Sequence, residues 1–226
     1  NFIVHNIINK IEFIKSEIKR TVEKKQLKSQ NPEIIAVSKT FPSEKILPLI
    51  KYGHIHFGEN KIQEAEDKWV KLKEEYNHVK LHMVGKLQSN KAKKAVQLFD
   101  YIHSLDNAKL AEKISKFELQ FNKKINIFIQ VNLGNEDQKS GIIKSDLKGF
   151  YDFCTKKLSL NIIGLMCIPP QNLEPINYFN DLNDLAKALN LSNLSMGMSH
   201  DYMEAISCGS TFVRIGEMIF GKRTIQ

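Results

Sequence analysis

The sequence predicts an α/β protein, a single (β/α)8 TIM barrel with an extra N-terminal helix. Three observations predict it. Eight short β-rich runs alternate with amphipathic helical stretches along the whole chain, and such alternation implies a parallel sheet with right-handed crossovers. Several runs are apolar almost throughout, which suits parallel strands covered on both faces. No low-complexity linker or internal repeat divides the 226 residues, so one domain over 1–226 is expected. An open doubly wound sheet fits the same alternation, but eight units match the closed barrel.

A helix over about 2–28 comes first. The first strand, about 33–38 (Glu-Ile-Ile-Ala-Val-Ser), leads to a helix over 43–51 that Pro42-Ser43 opens and Gly53 closes. The second strand, about 54–57 (His-Ile-His-Phe), precedes a helix over 59–76, and the third, about 80–84 (Lys-Leu-His-Met-Val), one over 88–98. The fourth, about 101–105 (Tyr-Ile-His-Ser-Leu), is followed by 107–121, where Ala108, Ala111, Ile114 and Phe117 recur at helical spacing. The fifth and sixth, about 125–132 and 162–168, flank a helix over 144–157. A helix over 174–190 leads to the seventh strand, 193–197, and one over 200–208, ended by Gly209, to the eighth, 211–215.

Composition excludes several classes. Apolar residues make up 42 % and charged residues 26 %, ordinary for a soluble domain with a real core. No stretch approaches the ~20 apolar residues of a membrane span, and the opening Asn-Phe-Ile-Val-His soon meets Lys10, Glu12 and Lys15, unlike a signal peptide or anchor. The net charge of +8 comes from lysines mixed with acids, as in Lys71-Leu72-Lys73-Glu74-Glu75, with no basic run interleaved with aromatics. That pattern reads as a solvated surface rather than a nucleic-acid interface. Three scattered cysteines (Cys154, Cys167, Cys208) argue against a disulfide framework or a structural zinc and favour the cytoplasm.

In a barrel of this kind chemistry sits where strands end. Lys39 follows the first predicted strand, Glu59 and Asn60 the second, Gly85 the third, Asp106 the fourth, and Asn132 closes the fifth. Met166 ends the sixth, Met198 and Ser199 follow the seventh, and Arg214 and Gly216 close the eighth. Lys39 lies between an apolar strand and Phe41-Pro42, where desolvation would favour a neutral, nucleophilic amine; a lysine reaching from the rim to water fits equally. Gly197 allows close backbone approach, and Ser199 either caps the helix near His200 or donates to an oxyanion there. Arg214 stands in the apolar frame Phe212-Val213-Arg214-Ile215, so it needs a ligand or an ion pair, for example with Glu59. His54 and His56, two apart on one predicted strand, are a weak metal pair; packing or hydrogen bonding is the simpler role. Met196 and Trp69 read as core, and Cys208 as a small buried residue.

With these residues in place the chain resembles the pyridoxal phosphate (PLP) homeostasis proteins, relatives of the alanine racemase barrel. The matching segments are Ala-Val-Ser-Lys-Thr (36–40), Phe-Gly-Glu-Asn-Lys-Ile-Gln-Glu (57–64), His-Met-Val-Gly-Lys-Leu-Gln-Ser-Asn-Lys (82–91) and Lys-Ser-Gly (139–141). Gly-Leu-Met (164–166), Leu-Ser-Met-Gly-Met-Ser (194–199), Gly-Ser-Thr-Phe-Val-Arg-Ile-Gly (209–216) and Ile-Phe-Gly-Lys-Arg (219–223) complete the match. The resemblance implies PLP bound as a covalent imine to Lys39, Arg214 facing the pyridine nitrogen, and Asn60 near the phenolic oxygen. It implies phosphate contacts at Gly197, Ser199 and Gly216, with Met198 and the Ser210-Thr211 pair close by. One departure stands out: Glu217 occupies a position where many members have Thr, and its carboxylate is expected to point away from a phosphate.

An arginine opposite the ring nitrogen disfavours a protonated ring and with it transaminase-type chemistry. Racemisation also requires an acid or base on each face of the substrate carbon, which the racemases complete with a second domain and partner subunit. The resemblance therefore implies a non-enzymatic carrier that serves intracellular PLP and amino-acid homeostasis and passes PLP to apo-enzymes. The alternatives are a weak PLP-dependent racemase or lyase, and a polyanion-binding module. A monomer is expected, because no surplus apolar stripe remains.

Overall fold

A computed structural model describes residues 2–27, 32–134 and 140–222. Lys139 and Arg223 of the matched segments, and position 28 of the predicted first helix, lie outside them. Eight strands form a closed parallel ring: β1 (Glu33–Val37), β2 (His56–Glu59), β3 (Lys80–Met83), β4 (Tyr101–Leu105), β5 (Asn126–Asn132), β7 (Ile162–Met166), β8 (Asn193–Ser195) and β9 (Phe212–Ile215). A two-residue strand, β6 (Ile142–Ile143), hangs on β5 outside the ring. Pairing of Ile102 with Ile127 closes β4 onto β5, and pairing of Ile34 with Val213 closes β1 onto β9, so the sheet has no open end between them. The open doubly wound alternative is thereby excluded.

The helices are α1 (Phe2–Lys24), α2 (Ser43–Lys51), α3 (Ile62–Glu75), α4 (Ala92–Leu98), α5 (Ala108–Phe121), α6 (Lys144–Asp152), α7 (Pro175–Ala188), α8 (Tyr202–Ser207) and α9 (Glu217–Phe220). Helix α1 buries Ile7, Ile11, Ile14 and Ile18, one apolar stripe, against the barrel's outer layer beside α2, α8 and α9. At about 2 kcal/mol per buried isoleucine, that stripe rather than helix propensity docks α1. Between the ring and its helices lies the larger core, with Phe57, Trp69, Phe99 and Phe179 fully buried. A smaller core fills the barrel itself, made of Ile35, Val37, Phe128, Met166 and Phe212.

The departures from expectation are local. The second strand runs His56–Glu59, because His54 belongs to the turn: its N–H closes on the Leu49 carbonyl after Gly53 at φ +95°. Residues 59–61 therefore precede α3 rather than opening it. The π-helical turn Phe153–Lys157 ends the predicted 144–157 stretch. Helix α8 starts at Tyr202, not near His200, because the Asp201 carboxylate takes the Met198 N–H at 2.7 Å and turns the chain there. Strand β6 and helix α9 are too short for hydrophobic period to announce.

Candidate functional site

The carboxyl ends of the strands enclose a cavity of about 690 Å³. Val37 and Lys39 line it from β1, Asn60 from β2, Val84 and Gly85 from β3, and Ile168 from β7. Met198, Ser199 and His200 reach it from β8, and Arg214, Gly216 and Glu217 from β9. Lys39 is half-buried on the turn that follows β1. That turn is held by the Ser38 N–H on the Gly58 carbonyl and by Thr40, which is at φ +69° and donates its N–H to Glu64 at 2.5 Å.

Beneath Lys39 sits a buried polar knot. One Glu59 oxygen accepts from the Ser38 hydroxyl and from the Trp69 indole N–H, both at 2.9 Å, and pairs with Lys68 at 2.7 Å. Lys68 also donates to the Ser38 and Phe41 carbonyls, so its charge clamps both sides of the Lys39 turn. Burial holds the Glu59 carboxyl above the usual carboxylate range, and Lys68, Trp69 and Ser38 pull it back down. These residues fix the backbone from which Lys39 projects. Asn60 owes its place to Gly85: a Cβ there would lie 2.5 Å from the Asn60 Cβ.

Arg214 answers the question its apolar frame poses. It is buried, and its partners are the Ser195 hydroxyl at 2.6 Å and the Cys167 carbonyl at 3.0 Å, both neutral. It forms no ion pair with any described residue; Glu59, its proposed partner, belongs to Lys68 and Trp69. Burial lowers its pKa, opposed by the nearby Cys167 and Asp201. A guanidinium taken from water and paired directly with no carboxylate of the described residues, on the wall of a cavity, is a binding group in search of an acceptor.

At the opposite end, Ser199 is not the cap of α8. Its hydroxyl accepts the Met218 N–H at 3.4 Å, joining the β8 loop to the start of α9. Gly216 precedes α9, and a Cβ on it would meet the Val37 carbonyl at 3.1 Å, so glycine lets β9's exit lie against β1's. Glu217 is exposed at the rim.

Two expected contacts are not brought to the cavity lining. Gly197 is required for another reason: at φ +98°, a Cβ would lie 2.6 Å from that of Ala205 in α8. Thr211 lies at the amino end of β9, where its hydroxyl bonds Asn193 and the Leu194 backbone; its neighbour Ser210 bonds the Met196 carbonyl at 2.6 Å. Both therefore stitch β8 to β9 at the far end of the strand. His54 and His56 do not share a face, since His54 packs edge-on to outward-facing Phe57 while His56 meets His82 and Phe212 inside. No group of three or more metal ligands occurs among the described residues. Phe41, Ile168, His200 and Lys222 line the cavity without having been proposed as contacts; the first three offered only their position after a strand end, and Lys222 its place in the matched segment 219–223.

Residues 15–224 match the family described as alanine racemase, N-terminal domain. Proteins named pyridoxal phosphate homeostasis protein align over nearly the whole length. The one from Vibrio alginolyticus is 34 % identical over 96 % of this chain and 98 % of its own. That of Escherichia coli K12 is 32 % identical over 99 % and 97 %. Among solved structures, PipY of Synechococcus elongatus with PLP bound superposes with a TM-score of 0.80 at 33 % identity, covering 91 % of this chain and all of that one. Alanine racemase from Corynebacterium glutamicum, at 14 % identity and a TM-score of 0.67 over 99 % of this chain and 61 % of its own, shares the fold.

Proposed function

The chain belongs to the pyridoxal phosphate homeostasis proteins of the alanine racemase N-terminal-domain family, and from that premise we propose that residues 1–226 act as one PLP-holding barrel domain, a carrier rather than an enzyme. The observation that carries the reading is Arg214, a buried cation with no ion-pair partner among the described residues, on the wall of the Lys39 cavity. The residues fit the group. Arg214 can only donate, and so offers its remaining N–H groups to an unprotonated ring nitrogen. Asn60, seated on Gly85, supplies an amide beside the ring's oxygen. Ser199, whose hydroxyl is fixed by the Met218 N–H, would hold a phosphate together with Met198 and Gly216, and Glu217 at the exposed rim can leave that space to it. Lys39 would hold PLP there through its amine, the group the cofactor's aldehyde would take up with loss of water.

The same geometry favours holding over turnover. Apart from Lys39 and Arg214, the titratable groups on the cavity wall are His200, Glu217 and Lys222, all exposed at the rim. Racemisation needs a positioned acid or base on each face of the substrate carbon, and solvated rim groups are poor candidates. The reading extends to a cytoplasmic monomer that passes PLP to apo-enzymes. No described helix is long and apolar enough to cross a membrane.

The test is the visible spectrum of the purified protein with added PLP, before and after borohydride, followed by mapping of the modified lysine. Labelling confined to Lys39, abolished in Lys39→Ala while the melting temperature holds, is the expected result; labelling elsewhere sinks the assignment. Incubation with single amino acids in deuterated water separates carrier from enzyme: exchange of the α-hydrogen that depends on Lys39 would establish a racemase or lyase instead.

A further inference from the structure

The barrel interior holds a feature that cofactor binding by the cavity wall alone does not explain. His56 Nδ1 lies 2.8 Å from His82 Nε2, His82 Nδ1 lies 2.8 Å from His103 Nε2, and His103 Nδ1 lies 2.8 Å from the Ser195 hydroxyl. Ser195 in turn takes the Arg214 N–H. The column runs from β2 through β3, β4 and β8 to β9. His82 stacks on Tyr101 with centroids 4.1 Å apart, and His103 on Phe128 at 4.4 Å, so neither ring is free to turn.

We propose that Ser195 and His103 are positioning residues for Arg214, the upper end of a one-way hydrogen-bond column that continues through His82 to His56 at the barrel floor. The direction follows from valence. A guanidinium only donates, so the Ser195 oxygen accepts from it. The Ser195 hydroxyl is fully buried, and His103 Nδ1 is its acceptor among the described residues. A neutral imidazole carries one N–H, so His103 accepts at Nδ1 and must donate from Nε2 to His82 Nδ1. His82 then donates from Nε2 to His56 Nδ1, and the last N–H, His56 Nε2, faces the Glu33 carboxylate at 3.7 Å. Burial keeps His82 and His103 well below their ordinary value, with the Arg214 charge adding to the effect on His103, which is why the rings are neutral. Three tautomers are thus set by one arginine, and the arginine is held by them: Ser195 and the Cys167 carbonyl occupy two of its donors, and the side chain lines the cavity.

The polarity rests on the distances and on the neutrality of the buried rings; its effect on the ligand rests on the PLP reading above. The experiment is nitrogen-15 NMR of labelled histidine in the full chain without ligand. His56, His82 and His103 are each expected to be protonated at Nε2 and bare at Nδ1; a proton on Nδ1 of His82 or His103 overturns the column. In Ser195→Ala the His103 Nδ1 resonance should move toward that of a free lone pair, PLP affinity should fall about tenfold, the loss of one hydrogen bond to a charged group, and Ser195→Thr should restore both. An unchanged resonance with unchanged affinity overturns the positioning role. If the wild-type chain takes up no PLP, the function fails while the tautomers still decide the column. Should the alanine variant not fold, the wild-type and threonine tautomers decide.

Discussion

Arg214→Met separates what the fold needs from what the ligand needs. A guanidinium that is 5 % exposed has lost nearly all its hydration, and real proteins charge several kcal/mol for that. Against this stand two hydrogen bonds from a charged donor to neutral acceptors, worth about 1.5–3 kcal/mol each. The terms nearly cancel, and a methionine stem fills most of the same space in the barrel interior. Stability by urea unfolding should therefore change by less than about 1 kcal/mol. Breaking a buried ion pair costs about 3–5 kcal/mol by contrast. PLP affinity, followed by the absorbance of the bound form, should fall by at least about tenfold. A variant destabilised by more than about 3 kcal/mol would show that Arg214 is internally compensated, refuting the claim that it awaits an acceptor.

Other consequences follow from the same geometry. His54 and His56 are held down to about 4 from an ordinary 6.5, chiefly by burial. The unfolded chain therefore takes up protons first, and stability falls with pH between about 6.5 and 4, by roughly 3 kcal/mol per histidine at most. Glu59 and Glu33, whose carboxyls burial raises, work in the opposite direction. The check is the pH slope of unfolding free energy, which should be shallower in His54→Asn; an identical slope would remove His54 from the account. Gly85→Ala must push Asn60 aside and should cost about 1–3 kcal/mol and weaken PLP binding; wild-type affinity in a titration would show that Asn60 does not touch the ligand. Salt should change PLP affinity far less steeply than a polyanion site would require, and a steep dependence would revive the basic-surface reading.

The strand–helix alternation and the positions after strand ends were legible because both depend on local pattern. Lys39, Asn60, Met198, Ser199, Arg214 and Gly216 all reach one cavity for that reason. What failed was local too. His-Ile-His-Phe alternates like a strand, yet Gly53 spends its first two residues on a turn, which moves β2 toward Glu59. Thr211 travelled with a matched segment, but it stands three residues before Arg214, about 10 Å down the strand at 3.3 Å per residue. Ser199 looked like a cap because a hydroxyl preceded a helix; α8 instead starts after Asp201, whose carboxylate turns the chain by taking the Met198 N–H and leaves the helix without a side-chain cap. The partners of Arg214 come from β8 and the exit of β7, 19 and 47 positions away, and only barrel closure brings them together.

Inside the barrel two kinds of side chain interleave around the ring. Ile35 and Val37 of β1, Phe128 of β5 and Met166 of β7 give an apolar wall leading up to Lys39. Packed among them, His56, His82, His103 and Ser195 form a continuous polar line leading across the barrel to Arg214. Apolar side chains of similar volume would fill that line at no loss of stability and often at a gain. A fold under no other demand has no reason to keep three neutral imidazoles in register there. The polar line makes sense where an arginine must be presented as a donor and nothing else, on the strand beside the one that leads to Lys39, to a ligand whose two ends ask for different partners.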